Sequence, residues 1–215
     1  MKIIKYEIKH CNAGWRDFSF LKIITDEGIS GISEYNECYG SPGLSIIIRR
    51  FMEKILDHDP ICHEKIHQFL YASSRQAPGG IAQQAIAAIE NALLDIKGKY
   101  LNVPVHTLLG GAIRDRLPLY WSHCGTYRIS EELSKIMEKP QVKTLEDLKQ
   151  LGKDVKDAGY KGLKTNIFTF AETPILEMQG FAGKPGWPEL NVDKHIINGL
   201  IKQIDGLRSG AGENM

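Results

Sequence analysis

Apolar and polar residues alternate in three stretches of the first 36 residues. Residues 2–9 set Ile4, Tyr6 and Ile8 against Ile3, Lys5 and Glu7, the period-two pattern of a strand. Residues 16–25 (RDFSFLKIIT) and 29–36 (ISGISEYN) read the same way. They meet at Asp26-Glu27-Gly28, where glycine supplies the positive φ of a tight turn. Three strands with short links predict an antiparallel meander. A Gly- and Pro-containing loop follows from Glu37 to Gly43, and the period then becomes helical. Leu44, Ile47, Ile48, Phe51 and Ile55 share one face of a helix over 44–57, which Asp59-Pro60 stops. A short helix over 63–72 turns Ile66, Phe69 and Leu70 inward, and Pro78-Gly79-Gly80 breaks the chain. The clearest helix is 81–97. Its stripe of Ala82, Ala85, Ile86, Ile89, Ala92, Leu93 and Ile96 is rich in alanine, so a partner can pack close. Gly98 is placed as its C-terminal cap.

The order of elements changes after residue 112. Residues 117–123 (LPLYWSH) read as a strand. Thr144 opens a helix with Asp147 three residues on, a capping box with Asp in place of Glu. Leu145, Leu148, Leu151, Val155 and Ala158 form its apolar stripe, and Gly159 ends it. Residues 161–168 (KGLKTNIF) predict another strand. Asn191 caps a last helix, with Ile197, Leu200, Ile201 and Ile204 inward and Gly206 as stop. The final GLRSGAGENM reads as a helix exit into a polar loop. Strand, helix, strand, helix implies parallel strands with crossover helices. The expected organisation is therefore an α+β domain over residues 1–112 and the opening of an α/β domain over 113–215.

Composition narrows the function classes. The chain has 215 residues, 42% hydrophobic and 25% charged, ordinary for a folded protein and unlike a disordered one. A formal charge of +1 gives no electrostatic reason to expect nucleic acid or an anionic membrane. No apolar run approaches the roughly 20 residues of a membrane-spanning helix, and the start lacks a signal-peptide core. Cys11, Cys38, Cys62 and Cys124 are widely spaced and read as free thiols in a reducing cytoplasm. His63 and His67, next to Cys62, have a helical spacing compatible with zinc. With one helix contributing, a solvated face is the expected reading. There is no phosphate-binding glycine loop and no G-x-S-x-G.

Two stretches carry more. Residues 24–40, ITDEGISGISEYNECYG, resemble the T-D-x-G-x-x-G-x-G-E strand-turn-strand of the mandelate racemase and muconate-lactonizing branch of the enolase superfamily. Ser33 stands where that family often has Gly. Residues 85–122 are similar to the family's A-x-x-A-I-x-x-A-L-x-D-x-x-G-K-x-x-x-x-P-x-x-x-L-L-G-G-x-x-R. The matches include Ala92, Leu93, Asp95, Gly98, Lys99, Pro104, Leu108, Leu109, Gly110, Gly111 and Arg114. Read physically, Asp95 and Lys99 form an i, i+4 pair worth about 0.3 kcal/mol. Gly110-Gly111 permits a reversal, and Arg114 and Asp115 read as structural pairing groups.

The resemblance implies an α+β capping domain followed by the start of a TIM-like (β/α)7β barrel, with the active site at the C-terminal ends of the barrel strands. It implies Mg²⁺ held by acidic residues of the third to fifth strands, and removal of a proton α to a carboxylate. Residues 117–123 and 161–168 would be strands 1 and 2. The metal ligands are then expected beyond residue 215, in a longer enzyme, and none in this chain. Family members often end strand 2 in K-x-K, and here the run is Lys164-Thr165-Asn166. Lys164 and Asn166 are the candidate catalytic positions. Asn166 takes no proton at neutral pH, which favours a one-base reaction. The candidate substrate contacts are His123 and Cys124 after strand 1, with Trp15, Arg16 and Tyr39 in capping-domain loops. Structural roles are the alternative for each: a barrel-mouth Lys paired to a carboxylate, a hydrogen-bonded His, a partly buried aromatic. Residues 169–190 are expected to be a lid, a subunit contact anchored by Phe181 and Trp187, or disordered. The expected activity is a Mg²⁺-dependent sugar-acid dehydratase in a cytoplasmic homo-oligomer. Its partner is a small hydroxy-carboxylate, with no nucleic acid and no membrane. The alternatives are a racemase or epimerase of the same superfamily and a non-catalytic scaffold.

Overall fold

A computed structural model describes residues 1–76, 79–177 and 192–215. The chain divides into two compact units, Met1–Asp115 and Arg116–Met215.

In the first unit, strands β1 (Ile3–Asn12), β2 (Asp17–Thr25) and β3 (Ser30–Tyr35) form the expected antiparallel meander in chain order. Gly28, at φ 79°, makes the turn between β2 and β3. Three helices follow, α1 (Leu44–Ile55), α2 (His63–Ser73) and α3 (Gly80–Leu101). A short α4 (Val105–Leu108) ends the unit. Alternation selects the inner face of the sheet. Ile3, Leu21, Ile23 and Tyr35 pack against Leu44, Ile48, Met52, Ile86, Ile89 and Leu93. The first turn of α1 has no cap from Gly43; instead Glu37 Oε1 accepts from Gly43 N and Ser45 N, a carboxylate at the positive end of the helix.

Helix α3 is the hub of this unit, touching β2, β3, α1 and α2. At Gly31 a Cβ would lie 2.0 Å from Ala92 O, so only glycine lets strand and helix backbones approach this closely. Two residues on, Ser33 donates to Ala88 O at 2.6 Å. The hydroxyl that departs from the family pattern thus satisfies a helix carbonyl. Asp95 Oδ2 accepts from Ile32 N at 2.9 Å and pairs with Lys99 Nζ at 2.6 Å, while Lys99 also donates to Ser30 O. The pair therefore clamps helix to strand, beyond the local helical pairing expected. Gly98 is a correction. It lies inside α3, where a Cβ would meet Val103 O at 2.9 Å. The cap is Asn102, at φ 53°.

The second unit has a core of Cys124, Val142, Leu148, Leu151, Val155, Phe168 and Leu207. Its elements are a 3₁₀ turn (Thr126–Ile129), α5 (Glu131–Ile136), α6 (Leu145–Asp157), β4 (Phe168–Phe170), β5 (Pro174–Leu176) and α7 (Lys194–Ala211). The capping box on α6 is present, with Thr144 and Asp147 each accepting from the other's backbone N–H.

Several expectations for this unit are corrected. The two long strands are reduced to one parallel bridge, Trp121 with Leu163. Trp121 N donates to Gly162 O, Lys164 N to Trp121 O and Cys124 N to Lys164 O. Leu117, Leu119 and Tyr120 are exposed; strand structure needs a bonded neighbour, which alternation alone does not supply. Residues 168–176 form the β4–β5 hairpin instead of an open loop. Leu145 and Ala158 lie outside the core, at the ends of their stripe. In α7, Ile197, Ile201 and Ile204 are exposed, and the helix buries Gln203, Leu207 and Ala211. The reason is steric. A Cβ at Gly210 would sit 1.8 Å from Lys149 O, and one at Gly152 2.1 Å from Leu207 O. The small-residue face admits α6 where a branched face could not. Gly206 lies within α7, which runs on to Ala211, and Asp193 is its cap, accepting from Ile196 N. Asn191, Phe181, Trp187 and Pro78 lie outside the described residues.

Gly31→Ala is expected to destabilise the first unit by about 2–3 kcal/mol, because a backbone carbonyl cannot yield as a flexible side chain does. Ser33→Ala is expected to cost about 1 kcal/mol. Urea unfolding of the two variants checks this, and an unchanged midpoint for Gly31→Ala would remove the close approach as a constraint.

Candidate functional site

Two groups of the expected residues come together, one in each unit. In the second unit, the Trp121–Leu163 bridge brings the residues that follow each partner side by side. Lys164 is exposed, its Nζ 5.7 Å from the centroid of the Tyr120 ring. Asn166 Oδ1 accepts from Thr126 Oγ1 at 2.8 Å. His123 has a left-handed backbone, φ 51°, costly for a residue with a Cβ and a mark of local constraint. Its Nδ1 is 2.9 Å from Ser122 Oγ, and its ring lies 5.6 Å from that of Tyr127. Burial, and secondarily the Lys164 ammonium, hold the His123 imidazole below its ordinary pKa, so it is neutral at pH 7. A neutral imidazole near a primary ammonium offers an acceptor and a cation to an acidic ligand.

Cys124 does not join this face. It is fully buried in the core, and burial pushes its thiol up to about 12. The left-handed backbone at His123 turns the chain just before it, and Cys124 packs with Leu148, Leu151 and Phe168. Gln203 belongs to the neighbourhood and was not foreseen. Fully buried on α7, it donates from Nε2 to Asn166 O at 2.8 Å and to Thr165 Oγ1, and accepts from Phe168 N. Its signal in the sequence was an amide standing on the same helical face as Leu207.

In the first unit, Trp15, Arg16 and Tyr39 form one cluster. The Arg16 guanidinium stacks over Phe18 at 4.0 Å and Trp15 at 5.5 Å, and Nη2 pairs with Glu34 Oε1 at 3.2 Å. Tyr39 donates to Trp15 O at 3.0 Å. Arg16 Nε is buried and has no hydrogen-bond partner among the described residues. Its charge is thus held by ring faces more than by acceptors.

Residues 9–110 match the N-terminal domain of the mandelate racemase / muconate lactonizing enzyme family. This match spans most of the first unit, which has the fold of the α+β N-terminal capping domain of the enolase superfamily. It is 40% identical over 120 residues to a D-galactonate dehydratase of Variovorax paradoxus, covering 56% of this chain and 31% of that protein. It is 37% identical over 142 residues to a D-galactonate dehydratase of Pectobacterium atrosepticum, covering 66% and 36%. A Burkholderia xenovorans protein assigned as an L-alanine-DL-glutamate epimerase has 39% identity and a TM-score of 0.91. It covers all of this chain and 54% of its own. That protein has also been seen with magnesium and fumarate. The chain thus spans about a third of the curated relatives it matches and about half of the solved one.

Magnesium prefers six oxygen donors. Among the described residues the grouping of three metal-ligating side chains is His63, Glu64 and Glu90, in the first unit, and a nitrogen ligand does not suit that ion. The described residues therefore do not fit Mg²⁺. No helix among them is long and apolar enough to cross a membrane.

Two outcomes are expected. At pH 8 iodoacetamide should modify the exposed Cys11, Cys38 and Cys62 and spare Cys124, whose thiolate fraction is about one in 10⁴; denaturation should release the fourth, as counted by mass spectrometry. In an NMR titration His123 should protonate below about pH 6.5. Lys164→Met should raise that midpoint without restoring it fully, since burial remains. The unfolded chain binds this proton more readily, so the position favours folding above that range and loses the contribution as pH falls.

Proposed function

We propose that the protein is a Mg²⁺-dependent lyase acting on a hydroxy-carboxylate, and specifically a sugar-acid dehydratase. The observation that carries this reading is Asn166 beside Lys164. Its Oδ1 is engaged by Thr126, and an amide accepts no proton at neutral pH. A second base at this position would serve a two-sided proton exchange; without it, one base removes the α-proton and the β-hydroxyl departs as water, leaving an enol that becomes the keto acid. The resemblance to D-galactonate dehydratases supports the same reading. In it, unit two is the start of the barrel, Lys164 holds the substrate carboxylate as a cation, and His123 contacts the substrate as a neutral imidazole. Trp15, Arg16 and Tyr39 select the substrate from the capping domain. The metal is held by carboxylates of the portion of the relatives' length that this chain does not span. The enzyme works in the cytoplasm as a homo-oligomer.

Epimerisation is the second reading, favoured by the 39% identity to the Burkholderia protein over the whole chain. An assay of full-length protein with acid sugars and Mg²⁺ separates the two. Keto-acid formation is expected. Exchange of the α-hydrogen in D₂O without any keto acid would sink the dehydratase and leave the epimerase. Lys164→Ala is expected to lower turnover by about 10²–10³-fold with an unchanged circular dichroism spectrum, and unchanged turnover would remove Lys164 from the mechanism.

A further inference from the structure

The pair of histidines on α2 is not a solvated face. His63 and His67 lie one turn apart, with side chains only 14% and 23% exposed, and both meet α3. His67 Nδ1 is 3.0 Å from Glu90 Oε2. His63 Nε2 is 3.6 Å from Glu64 Oε1, and its Nδ1 is 3.4 Å from Lys97 Nζ. One ligand atom from each of His63, Glu64 and Glu90 lies within 4.8 Å of the other two. We infer that His63, Glu64 and Glu90 bind a divalent ion of the zinc class on the α2–α3 face, with His67 holding the Glu90 carboxylate in place.

The donor set selects the ion. One imidazole nitrogen and two carboxylates suit Zn²⁺, at about 2.0–2.2 Å per bond, with water in the fourth position. Donors around a tetrahedral zinc stand about 3.3 Å apart, so a small inward closure of the three side chains completes the shell. Two of the ligands are already fixed by packing between helices. Glu64, 76% exposed, stands outside that packing. His67 plays the orienting part, as a ring that holds a ligating carboxylate by hydrogen bond. Lys97 opposes loading. Its ammonium donates to His63 Nδ1, which places the ring proton on Nε2, the atom that must bind. Metal binding therefore moves that proton to Nδ1 and turns Lys97 away. The inference does not depend on the proposed reaction.

The test is calorimetric titration of the whole chain with ZnCl₂ under reducing conditions and saturating Mg²⁺, which fills any oxygen-rich site. One zinc equivalent is expected. Glu90→Gln, which keeps an acceptor for His67, and His63→Ala should each weaken it at least tenfold. His67→Ala should weaken it about 10–100-fold. Lys97→Met should tighten it, an effect that general unfolding cannot mimic. Cys62→Ser, on the exposed thiol next to His63, should leave it unchanged. Equal affinity in His63→Ala or Glu90→Gln, weakening by Lys97→Met, or loss of binding in Cys62→Ser would each overturn the site.

Discussion

Contact between backbones, with no side chain between them, governs both units. In the first, Gly31 lets β3 lie directly on Ala92 of α3. That distance sets the sheet-to-helix spacing for the whole core. It brings Asp95 to the amide of Ile32 and Lys99 to the carbonyl of Ser30. In the second, Gly152 and Gly210 bring α6 and α7 together. Gln203 can then reach across to the backbone of residues 165–168. Each polar clamp is short only because the backbones are close. The glycines matter for what their lack of a side chain lets neighbours reach, more than for any freedom of φ.

Much of the first unit was legible because its signals are local. Alternation fixed β1 to β3, and the 3.6 period fixed α1 to α3, down to the alanine-rich stripe that faces the sheet. Gly98 misled because a glycine near a helix end reads as a cap, whereas this one clears space for Val103 and the chain turns at Asn102. In the second unit the decisive facts are not local. Whether residues 117–123 become a strand depends on hydrogen bonds from residues more than 40 positions away, and among the described residues only Trp121 and its neighbours make them. In α7 the isoleucines outweigh the glycines on any hydropathy scale. Proximity to α6 nonetheless chose the smaller face, since volume excludes more sharply than apolar area attracts.

The candidate site was legible in part. Lys164, Asn166 and His123 could be named from parity and resemblance, and they stand close in one unit. Trp15, Arg16 and Tyr39, named only as loop residues, share one aromatic and cationic cluster. Cys124 was assigned by adjacency to His123, but the left-handed backbone at His123 turns the chain, and the core took the next side chain. Gln203 escaped notice because its partners are backbone groups, which every residue carries. The histidines of α2 were underrated for a related reason: the sequence displays one helix, and their acceptors and their opposing cation come from another.

The central place of α3 also orders events in time. Strands β1 to β3 are finished by Tyr35, yet α3, the helix that packs most closely on them, is complete only at Leu101. At about 5–20 residues per second, that is a wait of about 3–13 s on the ribosome. For that interval a three-stranded sheet with an apolar face lacks its main partner. The nascent chain is then most exposed to chaperones and to errant pairing, and translation speed through residues 36–101 sets how long this vulnerability lasts.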